Sequence, residues 1–351
     1  MRKLQSPYLE FTRPAMATDF VLQMNMGQYS ADKSSALDAL DIVSSLEREL
    51  SYFLAESVIG RLNREEAHIP VFPDAPVYEL FKLCRDLYSQ TSGAFDISAG
   101  RLWEIWGFAR REGRIPDESE IASALQEQGI DKLEFNDAAA SLARGNSQVK
   151  FNLGAIGKGY ALDRAGRFLL DCGIGDFLFH GGKSSVMAVG NRSEEIGWQI
   201  GLHNPMRNSQ QRQDDSTRIK TIRLQNQALA TSGTQTQFFR FQGKRYGHII
   251  DPRTGYPAGI QPETSKPENA ICAPAVYSAT VIVPINSAET GFDTFAASKA
   301  DALATAFYIL GPSAAEKYCK QNQGVEIIFV LPDNTSTIPF KLLHTGEKKC
   351  N

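Results

Sequence analysis

The decapeptide at 248–257, HIIDPRTGYP, places three ionisable side chains within six positions. His248 can accept a proton near neutral pH, Asp251 is a carboxylate, and Arg253 is a permanent cation. The surrounding proline and glycine favour a tight turn that would hold all three on one rigid corner. Strand alternation predicts that His248 and Ile250 share a face. The pattern indicates acid–base chemistry, and its alternative is a structural turn closed by an Asp251–Arg253 ion pair.

Asp301 and Thr305 lie four positions apart in a predicted helix, Ala300–Leu310. That spacing projects a carboxylate and a hydroxyl from one helix face. Two such oxygen ligands suit a hard cation such as Mg²⁺, which keeps waters and shares a substrate phosphate. An alternative stays open at this point, because Ser298 and Asp301 also fit a capping box that only closes the helix start.

A glycine-rich segment, LGAIGKGYALD at 153–163, leads into another predicted helix, Lys158–Leu170. It has the spacing of neither the phosphate-binding loop nor the dinucleotide fingerprint. Glycines at 154, 157 and 159 would still let the backbone approach a ligand closely, and a helix N-terminus offers unpaired N–H groups to an anion. The alternative is a helix packed tightly on a strand.

Two further segments each allow two interpretations. The sequence Ala230–Gly233, ATSG, is either a hydroxyl-rich ligand loop or an ordinary Ser/Thr turn. Trp103 and Trp106 are either core residues or a platform for a cofactor ring.

The elements that must position these residues are helices first and mainly strands later. Helical spacing and capping signals predict three helices before residue 150: Ala31–Leu50, one capped by Asp74 that stops at 91–93, and one from 116 to about 129. Short β-rich runs follow at Asp176–Phe179, Val186–Val189, Trp198–Leu202, Tyr246–Ile250, Ala279–Val283 and Glu326–Leu331. Polar insertions at 207–218 and 261–270 are predicted surface loops. Runs of strands with a few helices predict an α+β fold with mixed sheets and packed helices.

Composition excludes several classes of protein. The 351 residues are 42% hydrophobic and 22% charged, so the chain can bury a sizeable core. A net charge of −3 gives no basic field for nucleic acid, and no apolar run approaches the ~18 to 20 residues of a membrane span. Five scattered cysteines without a CxxC pair suit neither a disulfide framework nor zinc. The N-terminus shows no signal peptide, which predicts a cytoplasmic protein, or a periplasmic one if a leader is missing from the numbered chain.

Taken in order, eight segments resemble the ApbE family, the FAD:protein FMN transferases. They are MATDF (16–20), LSYFLAESVIGRLN (50–63), SGAFDIS with the following WGF (92–108), LGAIGKGYALD, HGGK (180–183), ALATSG (228–233), HIIDPRTGYP and DALAT (301–305). The resemblance covers about residues 11–331 and implies an α+β fold related to tunnelling-fold modules. Because the motifs run from residue 16 to residue 305, we predict one interwoven domain over 1–351, with flexible tails at 1–10 and 335–351.

The resemblance implies a cleft that binds FAD with Mg²⁺. Such enzymes transfer the FMN half of FAD to a hydroxyl of a flavoprotein that carries a Ser/Thr-containing flavinylation motif, forming a phosphoester and releasing AMP. In this sequence it implies Asp301, Thr305 and the Ala155 carbonyl as metal ligands. It makes His248 the candidate for the base or hydroxyl-orienting group, and Asp251 either orients His248 or contacts the flavin.

The resemblance also implies a set of residues that bind FAD. Met16, Phe53 and Trp106 would border the flavin or adenine ring, and Lys158 would face the diphosphate. The other implied cofactor-binding positions are Gly154, Gly181, Gly182, Thr231, Ser232, Gly233, His248 and Arg253.

Three positions depart from the family pattern. Asn152 stands where the family usually has Asp, Lys183 replaces the Asp of Gly-Gly-Asp, and Phe53 stands where Tyr is common. These changes leave the metal pair and His248 in place but bear on substrate preference and rate. Two alternatives to the transferase stay open: an Mg²⁺-dependent FAD pyrophosphatase that uses water as acceptor, and a flavin-binding protein without turnover.

Overall fold

The computed structural model describes residues 8–29, 32–205, 218–233, 237–260, 276–285, 294–333 and 340–346. The loop predicted at 261–270 lies outside these ranges. So does the loop predicted at 207–218, except for Arg218, which begins a strand.

Eight helices and fourteen strands make up the described chain. Helices α1 to α8 span Asp32–Leu50, Val58–Arg64, Ala75–Gln90, Gly100–Ile105, Glu118–Glu127, Gly157–Asp171, Ala296–Leu310 and Pro312–Gln321, and short 3-10 turns span Phe108–Arg110 and Ile130–Lys132. Strands β1 to β14 span Tyr8–Ala15, Thr18–Asn25, Leu133–Asn136, Ser141–Arg144, Phe177–Gly181, Ser185–Val189, Trp198–His203, Arg218–Leu224, Gln227–Ser232, Phe238–Phe241, Lys244–Gly247, Ser278–Pro284, Glu326–Pro332 and Phe340–Thr345. Each of the five predicted helices is present.

Eight of these strands form a central sheet in the order β1-β2-β5-β6-β9-β12-β13-β14. Every neighbouring pair in it is antiparallel. Three further pairs, β3–β4, β7–β8 and β10–β11, form small sheets of their own. Antiparallel sheets with separate helices make an α+β fold, which confirms the predicted class.

The two faces of the central sheet are covered by different elements. Helices α6 and α7 pack on one face, and α1 packs on α6. On the other face, Trp198 and Leu224 of the β7–β8 hairpin pack against Val186 and Ile328 of the sheet. Helix α7 is Ala-rich and buried along almost its whole length. Its few polar side chains therefore need partners inside the protein.

A third apolar cluster lies to one side of this core. It joins Leu102 and Trp106 in and after α4 with Ile121 of α5 and Tyr246 of the β10–β11 hairpin. Gly255 of the HIIDPRTGYP turn packs here, because a Cβ at this position would lie 2.5 Å from the Ile121 side chain. The turn is thereby fixed against α4 and α5.

Two expectations about strands and tails are wrong. Residues 8–10 and 340–345 are not flexible tails, because they belong to the edge strands β1 and β14 and pair with β2 and β13. The strand predicted at Tyr246–Ile250 ends at Gly247, where pairing with β10 stops. His248 therefore follows the strand, and alternation does not determine which way its side chain points.

Candidate active site

A cavity of about 640 Å³, the main cavity, brings together most of the sequence motifs. Its volume lies within the range of small-molecule sites. It is lined by eleven of the predicted site residues: Met16, Phe53, Gly154, Ala155, Lys158, Thr231, Ser232, Gly233, His248, Asp301 and Thr305. Trp106, Gly181, Gly182, Asp251 and Arg253 do not line it.

Asp301 lies on α7, and its carboxylate is held by two neighbouring elements. Oδ2 accepts a 2.7 Å hydrogen bond from the Gly159 N–H in the first turn of α6. Oδ1 accepts a 2.6 Å bond from the Ser185 hydroxyl on β6, and the Lys158 Nζ lies 3.8 Å from Oδ2. Because Asp301 is only 6% exposed, these donors replace the hydrogen bonds to water that burial removes.

The start of α7 is capped by Asp163 of α6. Asp163 Oδ1 accepts a 2.8 Å bond from the Ala297 N–H, and Oδ2 accepts bonds of 2.8 and 2.6 Å from the N–H and hydroxyl of Ser298. The capping-box interpretation is therefore wrong: α7 begins at Ala296, so Ser298 already lies in its first turn and binds Asp163. Asp301 faces the main cavity instead.

The glycine-rich segment packs tightly at one glycine and lines the main cavity at two others. A Cβ at Gly159 would lie 2.2 Å from the Ala297 carbonyl oxygen, so glycine lets α6 approach α7 closely. Gly154 and Gly157 instead line the main cavity. The Asn152 side chain accepts a 2.7 Å bond from the Gly154 N–H, a contact that an aspartate would also make. The change to asparagine thus preserves this turn.

The oxygen atoms around Asp301 fit a small hard cation. The Thr305 hydroxyl, one turn further along α7, lies 3.1 Å from the Ser232 hydroxyl, and Ala155 lines the same cavity. The hydrogen bonds from Gly159 and Ser185 use two of the roughly four acceptor positions of the Asp301 carboxylate, so two remain for a cation. No three His, Cys, Asp or Glu side chains converge anywhere in the described ranges. One carboxylate with neutral oxygens suits Mg²⁺, which usually keeps several waters.

His248 lines the main cavity just after β11. Its Nδ1 lies 3.1 Å from the Gln237 carbonyl oxygen, which can only accept, so Nδ1 carries the proton and Nε2 keeps a lone pair. Burial lowers the pKa of His248 below its ordinary 6.5, the Gln237 carbonyl raises it, and the charge of Lys158 lowers it again. The net lowering favours the neutral form, which can accept a proton at neutral pH.

Asp251 and Arg253 form the structural turn that was the alternative to a chemical role. The buried Asp251 carboxylate accepts bonds of 2.9 and 2.7 Å from the Arg253 guanidinium and a 3.0 Å bond from the Arg253 N–H. The Asp251 carbonyl accepts a 2.8 Å bond from the Gly255 N–H. Contrary to expectation, neither side chain lines the main cavity, and the two are bound to each other.

Aromatic side chains form one wall of the main cavity. The Trp103 ring centroid lies 5.6 Å from that of Tyr52 and 6.3 Å from that of Phe53. Phe53 is 64% exposed, which leaves its ring accessible to a planar ligand. Trp106 is only 1% exposed, and its Nε1–H donates a 2.8 Å bond to the Gly255 carbonyl. Trp106 is therefore a core residue and not the predicted cofactor contact. Trp103 lines the main cavity instead.

A second cavity of about 660 Å³, the side cavity, adjoins the first. Gly182 lines it. Gly181 lines neither cavity and packs on Phe20, whose ring would lie 2.9 Å from an added Cβ. Lys183 has a φ of 62° and also lines neither cavity. The lysine that replaces the family's aspartate after Gly181–Gly182 therefore lies outside both cavities.

Several polar residues of the cavities were not predicted as site residues, among them Arg111, Ser184, Gln237 and Asp96. Arg111, Ser184 and Gln237 line both cavities but stand in no recognisable spacing. Asp96 lines the main cavity, and burial raises its pKa while the hydrogen bonds from Ser98 lower it. Asp96 lies within the quoted SGAFDIS segment, so its position in that motif was the one available signal.

Comparison with known proteins points to one family. The sequence model of the ApbE family matches residues 16–329. An FAD:protein FMN transferase of Haemophilus influenzae is 24% identical over 337 residues, covering 94% of this chain and 88% of the relative. One from Klebsiella pneumoniae is 28% identical over 230 residues, covering 65% of this chain and 68% of the relative.

Solved structures show the same fold. The crystal structure of an ApbE protein from Thermotoga maritima superposes with a TM-score of 0.77 at 28% identity, covering 97% of both chains. The flavin transferase ApbE from Vibrio cholerae gives a TM-score of 0.76 at 22% identity, again covering 97% of both. Within the described residues, no helix combines the length and the hydropathy needed to cross a bilayer. Because the family match extends over most of the sequence, the chain belongs to the ApbE family.

Proposed function

We propose that the protein is an Mg²⁺-dependent FAD:protein FMN transferase that modifies a Ser or Thr hydroxyl of a flavoprotein. The observation that carries the proposal is the meeting of a neutral His248 and the Asp301–Thr305 oxygen set at one cavity. The names of the relatives support the same activity. We also propose the cytoplasm as its location, which stays a prediction.

FAD would extend across the main cavity. One of its rings would lie against the wall of Tyr52, Phe53 and Trp103, where stacking and apolar contact are available. Its diphosphate would lie near Lys158 and the N-terminus of α6, since a cation and helix N–H groups both favour an anion. Ala155, Asp301 and Thr305 would hold Mg²⁺, which when bound supplies charge neutralisation at the diphosphate.

His248 would prepare the acceptor hydroxyl. The Nε2 lone pair takes the hydroxyl proton as the oxygen attacks the phosphorus on the FMN side of the diphosphate. A new O–P bond forms, the bond from that phosphorus to the bridging oxygen breaks, and AMP leaves with the bridging oxygen. Lys158, which lines the same cavity, would balance the charge of the departing phosphate, so the reaction would rely mainly on positioning and electrostatics.

The pyrophosphatase alternative uses the same residues with water as the acceptor. One assay distinguishes FMN transfer, FAD hydrolysis and the absence of turnover. The purified protein is incubated with FAD, Mg²⁺ and a protein extract of the cells that encode it, and the products are followed by in-gel flavin fluorescence and AMP release. We expect a fluorescent band together with an equal amount of AMP. AMP formed by the purified protein without extract, and no labelled protein with it, would establish the pyrophosphatase, and FAD bound unchanged would establish a flavin-binding protein.

We also propose that the chain acts as one interwoven domain. The main cavity is lined from Met16 to Thr305, and the largest core cluster runs from Ala15 to Phe329. Calorimetry should therefore show a single cooperative unfolding transition. Two separate transitions would contradict this proposal.

A further inference from the structure

The side cavity has about the same volume as the main one and adjoins it. The two cavities share seven lining residues: Met16, Ala17, Phe108, Arg111, Lys158, Ser184 and Gln237. Among the described residues, the side cavity adds Thr18, Gly113, Gly182, Phe238 and Phe239. It includes neither the Asp301–Thr305 pair nor the aromatic wall. A ligand bound against the Asp301–Thr305 pair and the aromatic wall would therefore leave the part of this space beside Phe238 and Phe239 available.

We infer that the side cavity receives an extended Ser- or Thr-bearing segment of the acceptor flavoprotein. The inference rests on the proposed function and specifies where its second substrate binds. A water molecule needs no cavity of about 660 Å³, whereas a hydroxyl carried on a protein must enter together with its neighbouring residues. The shared lining residues lead from this space directly to Lys158, beside which the diphosphate is proposed to lie.

The walls of the side cavity are chain turns and a hairpin edge. Met16 and Ala17 form the turn between β1 and β2, and the Met16 N–H donates a 2.7 Å bond to Glu47. Gly182 follows β5, and a Cβ there would lie 2.4 Å from the Thr18 hydroxyl oxygen. On the hairpin side, β10 pairs with β11 and with no other strand of the described ranges. Such an edge can align an extended peptide.

The hairpin also connects the side cavity to His248. Gln237, immediately before β10, lines both cavities, and its carbonyl accepts the hydrogen bond from His248 Nδ1. The Phe108 ring lies between the two regions, with its centroid 5.7 Å from Phe239 and 6.5 Å from His248. A segment that lies along the hairpin would therefore bring its hydroxyl to the side of the proposed base.

The lining of the side cavity specifies the chemistry of the segment. Phe238 is 41% exposed, and the Arg245 guanidinium lies 3.8 Å from its ring centroid. An exposed and fixed aromatic ring is a typical anchor for a partner's apolar side chain. Arg111 and Lys158 are the cations of the lining, and none of its described residues is acidic. The cavity therefore favours a neutral or acidic segment with an apolar residue near the hydroxyl.

Steady-state kinetics of Phe238→Ala test the inference, with the flavoprotein labelled in the assay above as the varied substrate. We expect the KM for the acceptor to rise about tenfold, since loss of an aromatic anchor commonly costs more than 1 kcal/mol of binding. The kcat should stay within about twofold, and FAD affinity, measured by flavin fluorescence, should not change. Phe241→Ala is the matched control, because Phe241 is on the same strand, is 47% exposed and lines neither cavity.

Thr18→Phe places a larger side chain in the same cavity from the opposite wall, so it should raise the acceptor KM as well. An unchanged KM in Phe238→Ala, or an equal rise in Phe241→Ala, would overturn the inference. A tenfold loss of FAD affinity in Phe238→Ala would also overturn it, because the side cavity would then belong to the FAD site. If the wild-type protein releases AMP but labels no protein, the proposed transferase function itself fails, and the assay distinguishes that result from a misplaced docking site.

Discussion

The α6–α7 junction and the β10–β11 hairpin both border the cavities, but they are held in place by different forces. At the junction, Asp163 and Asp301 accept five hydrogen bonds of 2.6–2.8 Å from buried donors. The hairpin is held by stacked rings, with Phe239 on Tyr246 at 5.2 Å and Tyr246 on Trp106 at 5.8 Å. Directed hydrogen bonds fix charged ligands to a narrow geometry, whereas stacked rings leave an exposed and adaptable edge. The difference suits a constant cofactor on one side and a variable partner on the other.

The largest expected effect comes from removing the carboxylate at the centre of the junction. Asp301→Ala should lower metal-dependent AMP release on the order of a thousandfold, because the only charged oxygen ligand of the proposed site is lost. Calorimetric titration with Mg²⁺ should show no saturable binding in the presence of FAD. Circular dichroism and a thermal melt check that the variant is folded. Undiminished turnover would remove Asp301 from the metal site and weaken the contrast between the two regions.

A second large effect is expected from the removal of His248, the proposed base, which lies just after the β10–β11 hairpin. His248→Ala should lower transfer to the acceptor at least about a hundredfold, because Nε2 is the proposed acceptor of the hydroxyl proton. FAD affinity should fall much less, since the variant keeps Lys158 and the aromatic wall. Equal losses of turnover and FAD affinity would instead make His248 a binding residue.

The pH dependence of the wild-type protein sharpens this assignment. Burial and Lys158 lower the pKa of His248, so its protonated form, which cannot accept a proton, accumulates only in more acidic solution. On the acid side, kcat/KM should therefore rise with pH to a plateau, with a midpoint below 6.5. In His248→Ala this limb should disappear. A midpoint above 6.5 would contradict the proposed environment.

A smaller effect is expected from the residue that positions α7. Asp163→Asn should destabilise the protein by about 1–3 kcal/mol, because one of the capped N–H groups loses its charged acceptor. It should also weaken Mg²⁺ activation roughly tenfold, as is typical when support for a metal ligand is lost. FAD affinity measured without metal should not change.

Ser298→Ala is the matched control for this position. It removes the hydroxyl bond to Asp163 but leaves both backbone N–H bonds in place. Urea unfolding should show a loss of about 1 kcal/mol with unchanged Mg²⁺ activation. If Asp163→Asn has the same profile as its control, Asp163 is structural and does not position the metal ligands.

The sequence was most informative where local periodicity and local chemistry agree. Helix α3, with its Asp74 cap, and the Asp301–Thr305 spacing both depend on residues a few positions apart, and both are present as predicted. The Asp163 cap of α7 could not be predicted, because its partners lie about 134 positions further along the chain. The edge strands β1 and β14 are a different case, because their partners β2 and β13 are their neighbours along the chain, so sequence separation does not explain why they were missed.

The two tryptophans show the limit of reading a motif without its packing. Trp103 and Trp106 are three positions apart, and neither the residues around them nor their spacing distinguishes one from the other. Only the docking of the Gly255 turn and of Tyr246 decides that Trp106 is buried while Trp103 faces the main cavity. The distinction depends on tertiary contacts that no local pattern encodes.

The smallest effect concerns this pair and the stack that supports the hairpin. Trp106→Phe keeps an aromatic ring but loses the N–H bond to the Gly255 carbonyl, so urea unfolding should show a loss of about 1–2 kcal/mol. Trp103→Phe keeps the ring in the cavity wall and should change stability by less than about 0.5 kcal/mol, with at most a few-fold change in FAD affinity. If Trp106→Phe also raises the acceptor KM while Trp103→Phe does not, the stack from Trp106 through Tyr246 to Phe239 holds the docking edge in place. An unchanged acceptor KM would mean that the hairpin keeps its position without that support.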